Sequence, residues 1–78
     1  MQGVVYTNGN QESERLTSLL KRLEIDILEY RLNHHFSQRA FESEFGKGAE
    51  YPQCALDYKH IGGIKDTLNH LKKEGLFE

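Results

Sequence analysis

Leu16, Leu19, Leu20 and Leu23 recur at i, i+3, i+4 and i+7, the stripe of one amphipathic helix face. This stripe constrains the fold most, because β-prone segments flank it on both sides. Val4-Val5-Tyr6 precedes it and ends in the turn residues Thr7-Asn8-Gly9-Asn10. After it, Ile25, Ile27 and Glu29 alternate with Asp26 and Leu28, which predicts a strand over 24–32. The helix is expected over 11–23, with Asn10 as its N-cap. Glu12 and Glu14 fall in its first turn and Lys21 and Arg22 in its last, as the helix dipole favours. Two strands joined by one helix of this length make a right-handed βαβ unit with a parallel pair.

The rest of the chain completes a small α/β layout. Phe36, Ala40, Phe41 and Phe45 predict a second helix over 36–45, stopped by Gly46. A third strand is expected over 52–57, with Pro52 tolerated at its start. Asp57-Tyr58-Lys59-His60 reads as a tight hairpin turn into a very short strand around His60-Ile61. Gly62-Gly63 breaks that strand, and Ile64, Leu68 and Leu71 mark the apolar face of a closing helix that Gly75 stops. The expected order is β-α-β-α-β-β-α, within one domain spanning residues 1–78.

Composition narrows the function classes. Ten Lys and Arg against twelve Asp and Glu give a formal charge of −2, so there is no basic footprint for nucleic acid. A single cysteine, Cys54, makes neither an internal disulfide nor a thiolate metal cluster. No segment is long and apolar enough to span a membrane. Residues Met1 to Tyr6 lack the basic start and apolar stretch of a signal peptide, so a reduced cytoplasmic compartment is expected.

The last third carries the most specific pattern. Tyr51-Pro52-Gln53-Cys54-Ala55-Leu56-Asp57, then Tyr58-Lys59, then His60-Ile61-Gly62-Gly63, resembles the glutaredoxin segment in which a cis-proline strand and a hairpin lead through a double glycine into the last helix. Counted from Tyr6-Thr7, the family motif Cys-Pro-Tyr-Cys, with Arg two positions on, aligns with Asn10-Gln11-Glu12-Ser13 and Arg15. The resemblance covers essentially the whole chain. It implies a thioredoxin-like α/β fold, a four-stranded mixed sheet flanked by three helices. Compact glutaredoxins of this size occur in bacteria and their phages, where they serve ribonucleotide reductase. The resemblance therefore implies glutathione as co-substrate, or a thiol/disulfide protein such as that enzyme as partner. It further implies a monomer with no resident cofactor, in the cytoplasm (of a host, if the chain is viral).

One departure outweighs the match. The family's chemistry needs a thiolate at the first motif position, held at a helix N-terminus that lowers its pKa. Here Asn10 stands in that position and Ser13 in the second, so redox activity is expected to be lost. The resemblance carries over the glutathione groove residue by residue. Tyr51, before the cis-proline Pro52, would pair with the tripeptide through its backbone, and its ring is bulkier than the usual valine. After Gly63, the backbone N–H groups of Ile64 and Lys65 would hold the γ-glutamyl carboxylate. Lys65 has the wrong sign for the acidic residue usually found there, and Asp66 is either its substitute or a helix cap. Asn8 replaces the lysine usual before the motif, and Gln11 follows the nucleophile position. A second reading keeps the groove but not the chemistry: a non-catalytic module that docks a protein or peptide partner.

Other candidates have plainer readings. Cys54 reads as a small buried residue of a central strand, with no Lys or Arg beside it in sequence to activate it, though Lys59 can approach in space. His34, His35, His60 and His70 lack the short ligand spacing of a zinc site. The acidic residues between Glu42 and Glu50 read as a solvated face.

Overall fold

In the computed structural model, residues 2–75 are described. Seven elements follow in the expected order: β1 (Gln2–Thr7), α1 (Gln11–Arg22), β2 (Asp26–Arg31), α2 (Gln38–Phe45), β3 (Gln53–Leu56), β4 (Lys59–Gly62) and α3 (Ile64–Lys73). The sheet order is β2-β1-β3-β4. β1 and β2 pair in parallel, with Val4 opposite Leu28 and Tyr6 opposite Tyr30. β3 runs antiparallel to both β1 and β4. The sheet is therefore mixed, as the pattern requires: one crossover helix between parallel neighbours and a hairpin at the end.

Strand alternation sorts the side chains into two layers. Val5, Cys54 and Leu56 point to one face, where Leu16 and Leu20 of α1 and Leu71 of α3 complete a buried core with Ile25. The predicted leucine stripe is this contact, with Leu19 and Leu23 packed at its margin. The opposite face carries rings. Tyr6 lies 5.4 Å from Tyr30, 5.4 Å from Phe36 and 5.1 Å from Phe45, centroid to centroid. α2 covers only that end of the face, and Leu28 at the other end is 59% exposed.

Element ends differ from the sequence pattern for local reasons. β2 starts at Asp26 rather than residue 24, because Glu24 takes a positive φ of 60° in the turn after α1. It ends at Arg31, although Leu32 still bridges to Phe36. α2 starts at Gln38 rather than residue 36, because Ser37 is its N-cap and its hydroxyl accepts from Ala40 N at 3.1 Å. β3 is shorter than expected, with Pro52 and Asp57 outside it. The hairpin loop is Asp57-Tyr58, with φ of 51° and 69°, the positive pair that a two-residue turn between twisted strands demands. β4 runs from Lys59 through Gly62, so the double glycine divides its roles. Gly62 ends the strand at φ 131°, and Gly63 caps α3. The Tyr51-Pro52 bond is cis, as the resemblance implied.

Candidate functional site

The loop between β1 and α1 is shaped by its own side chains. Thr7 Oγ1 accepts from Gly9 N at 2.9 Å, and Asn8 Oδ1 accepts from Asn10 N at 3.0 Å. Both are side-chain turns of the kind that Thr and Asn favour. With Gly9 at φ 82° they fold the chain back, so that Asn10 enters the helix extended, at φ −74° and ψ 169°. Asn10 Oδ1 then accepts from Ser13 N at 2.8 Å, which makes it the N-cap that the sequence predicts.

The other half of the same amide reaches across the site. Asn10 Nδ2 donates to the carbonyl of Tyr51 at 3.3 Å. Asn10 and the cis-proline loop are thus in direct contact, 41 residues apart in the chain. Tyr51 does not stand free in the groove. Its ring stacks on Phe41 at 4.1 Å and 17°, and its hydroxyl donates to Gln38 Oε1 at 2.7 Å. Burial and the nearby Glu42 carboxylate push the Tyr51 phenol above its ordinary pKa. Gln53 ties the loop down, donating from Nε2 to Glu50 O at 2.8 Å and pairing through Oε1 with His60 Nε2 at 2.8 Å.

Across from Tyr51 lies the start of α3. Gly63 has no side-chain cap, and its carbonyl accepts from both Thr67 N at 3.0 Å and Thr67 Oγ1 at 2.8 Å. The N–H groups of the first turn have no intrahelical acceptor. A Cβ built on Gly63 would lie 3.6 Å from Pro52 O, so the glycine backs directly onto the cis-proline. Asp66 turns back over Gly62, where a Cβ would fall 2.5 Å from Asp66 Oδ2.

These parts form one groove of about 500 Å³, lined by Tyr51, Pro52, Gly63, Ile64, Lys65 and Asp66 together with Glu12, Glu50 and Gln53. A shallower hollow of about 460 Å³ shares Glu12, Glu50 and Tyr51 with it and adds Asn10, Gln11 and Ala49. Eight of the ten residues read from the sequence therefore line the two hollows. Asn8 does not; it is exposed and shapes the loop behind Asn10. Ser13 does not either; it is 1% exposed, and its hydroxyl has no hydrogen-bond partner. Glu12, Glu50 and Gln53 were missed. Glu12 lies between Asn10 and Ser13 in the turn that opens α1. Glu50 reaches the groove only because the chain folds back at Tyr51.

Among the described residues, the groove holds no exposed thiol. Asn10 has none, and Ser13 is shut in. Cys54 is 1% exposed in β3, and burial raises its thiol pKa against a smaller lowering from a Thr67 hydrogen bond. Lys59, the sequence's candidate activator, sits opposite Leu56 rather than Cys54. Three carboxylates, Glu12, Glu50 and Asp66, face one ammonium, Lys65. What the site offers is the Tyr51 carbonyl, already met by Asn10, the first-turn N–H groups of α3 and a mostly acidic rim.

A helix N-terminus facing a cis-proline across a four-stranded β-α-β-α-β-β-α sheet is the plan of a thioredoxin-like fold. Solved structures place the chain more narrowly within that class, in the glutaredoxin fold. Reduced Escherichia coli glutaredoxin superposes with a TM-score of 0.74 at 23% identity, covering 94% of this chain and 95% of that one. The oxidised form gives 0.74 at 22% identity over the same shares. A further E. coli glutaredoxin structure gives 0.61 at 22% identity over 95% and 96%. No protein-family model and no curated protein matches the chain. Among the described residues, no helix is long and apolar enough to cross a membrane.

Proposed function

We propose that this chain is a glutaredoxin relative that has kept the thiol–disulfide groove and lost the thiol. In that family the first motif residue forms a mixed disulfide with glutathione or a protein partner. The observation that carries the reading is the contact of Asn10 Nδ2 with Tyr51 O at 3.3 Å. It puts Asn10 beside the cis-proline loop and at a helix N-terminus, where a cysteine would be activated. As written, the chain binds without transferring electrons. Glutathione or a thiol/disulfide protein, such as ribonucleotide reductase, is the ligand class this reading names.

The rim charge and the Asn10 bond favour the binding-module form of this reading. Glutathione carries two carboxylates and one ammonium, and it meets three carboxylates and one lysine here. One lone pair of the Tyr51 carbonyl is already taken by Asn10. Glutathione is therefore expected to bind weakly, and a protein strand with basic side chains to bind better. An NMR titration with reduced glutathione tests the groove. Shifts confined to Tyr51, Gly63 and Ile64 support the glutathione site. No shifts would leave only the protein-docking form.

A further inference from the structure

A second pocket, on the opposite side of the Phe41–Tyr51 stack from the groove, has a composition that the groove's function does not use. It lies between α2 and the sheet, encloses about 290 Å³, and is walled by Tyr6, Tyr30, Phe36 and Phe45 with His35 and Glu44 at its edge. The rings form a box. Tyr6 contacts three of them, inclined to its plane by 44° for Tyr30, 76° for Phe36 and 65° for Phe45. Rings inclined to one another turn their faces in different directions, and it is the negative π-face, not the positive edge, that attracts a cation.

The charges agree with that geometry. Among the described residues, no lysine or arginine lines the pocket, and its one carboxylate is that of Glu44. That carboxylate is close enough to Tyr6 to help raise the phenol's pKa, second to the effect of burial. His35 adds a further ring, its Nδ1 accepting from Arg31 N at 2.9 Å. Its ring stands 5.8 Å from Tyr30. The site is therefore aromatic on several sides and acidic at the rim.

We propose that this pocket binds an organic ammonium group, with the rings of Tyr6, Tyr30, Phe36 and Phe45 around the cation and Glu44 as its counter-ion. A volume of this size admits a methylated or alkylated ammonium head but not a folded peptide. The proposal is independent of the glutathione reading, since no residue of the box lines the groove.

The test is an NMR titration of the native chain with tetramethylammonium chloride, set against its neutral isostere tert-butyl alcohol and against sodium chloride. Saturable shifts on the Tyr6, Tyr30, Phe36 and Phe45 rings with the cation alone are expected. Glu44→Gln, an exposed change that leaves the core untouched, should weaken binding about 2–5-fold, and Tyr30→Leu by at least as much. Equal binding of tert-butyl alcohol would overturn the proposal, as would shifts that sodium chloride reproduces, or an unchanged affinity in both variants.

Discussion

Asn10 and Tyr51 are joined by one side-chain amide that serves two masters. Its oxygen caps α1 through Ser13 N at 2.8 Å, and its nitrogen holds the Tyr51 carbonyl at 3.3 Å. Only one orientation of the amide satisfies both, because the acceptor must meet the N–H and the donor the carbonyl. The helix start and the cis-proline loop are thereby fastened to each other at the mouth of the groove.

Two substitutions separate these roles. Asn10→Ala removes the cap and the clamp, and is expected to cost about 1–2 kcal/mol of stability. Asn10→Asp keeps an acceptor at the cap, favourable at a helix N-terminus, and loses only the donor to Tyr51, costing about 0.5–1 kcal/mol. Urea unfolding midpoints of the two variants should fall in that order. Equal losses would mean that the cap contributes nothing, and an Asn10→Asp variant as stable as the native chain would mean that the Tyr51 contact contributes nothing.

The rim charges predict opposite effects on glutathione. Glu50→Gln removes a repelling carboxylate and Lys65→Gln removes the one attracting ammonium that lines the groove among the described residues. Affinity should rise about 2–5-fold in the first and fall by a similar factor in the second, consistent with exposed charge interactions of about 0.5–1 kcal/mol. Both effects should shrink as salt is raised toward about 1 M, where screening is short-ranged. Isothermal or NMR titrations that move both variants in the same direction would count against an electrostatic rim.

Cys54 should behave as a core residue. Burial raises its thiol pKa, so the folded state keeps its proton where the unfolded chain has lost it. The linkage sign follows: the contribution is fully present below the ordinary thiol range near pH 8.5, and is lost as pH rises through that range toward the raised folded value. Tyr6 and Tyr51, also raised, extend the same decline to higher pH. Alkylation of the native protein should be slow at pH 8 and accelerate with unfolding by urea. Cys54→Ala should flatten the first part of the alkaline stability loss. Rapid modification of the folded chain would contradict this account.

What was legible in the sequence follows from how local each signal is. The leucine stripe, the Asn10 cap and the Gly63 helix start depend on residues within a few positions, and all three stand in the structure. Phe36 misled because its spacing to Ala40 and Phe41 is helical, yet it packs on Tyr6 from a loop while Ser37 starts the helix. Glu12 and Glu50 are 38 positions apart, and only the return of the chain at the cis-proline loop puts both on one rim. The aromatic box is likewise assembled from β1, β2, α2 and the loop before it, and no one segment announces it. The burial of Ser13 depends on the packing of α1 and is not legible in the turn alone.

The most direct test of the central claim is Asn10→Cys. The claim is that this position is a thiolate site without its thiol. Thiolate absorbance across a pH series, and mass spectrometry after exposure to oxidised glutathione, read both halves of it. The introduced thiol should titrate below the ordinary value of about 8.5 and should attack the disulfide, forming one mixed disulfide per chain as a glutathione thiolate leaves. A folded variant whose introduced thiol titrates at or above that value, and which takes up no glutathione, would contradict the account.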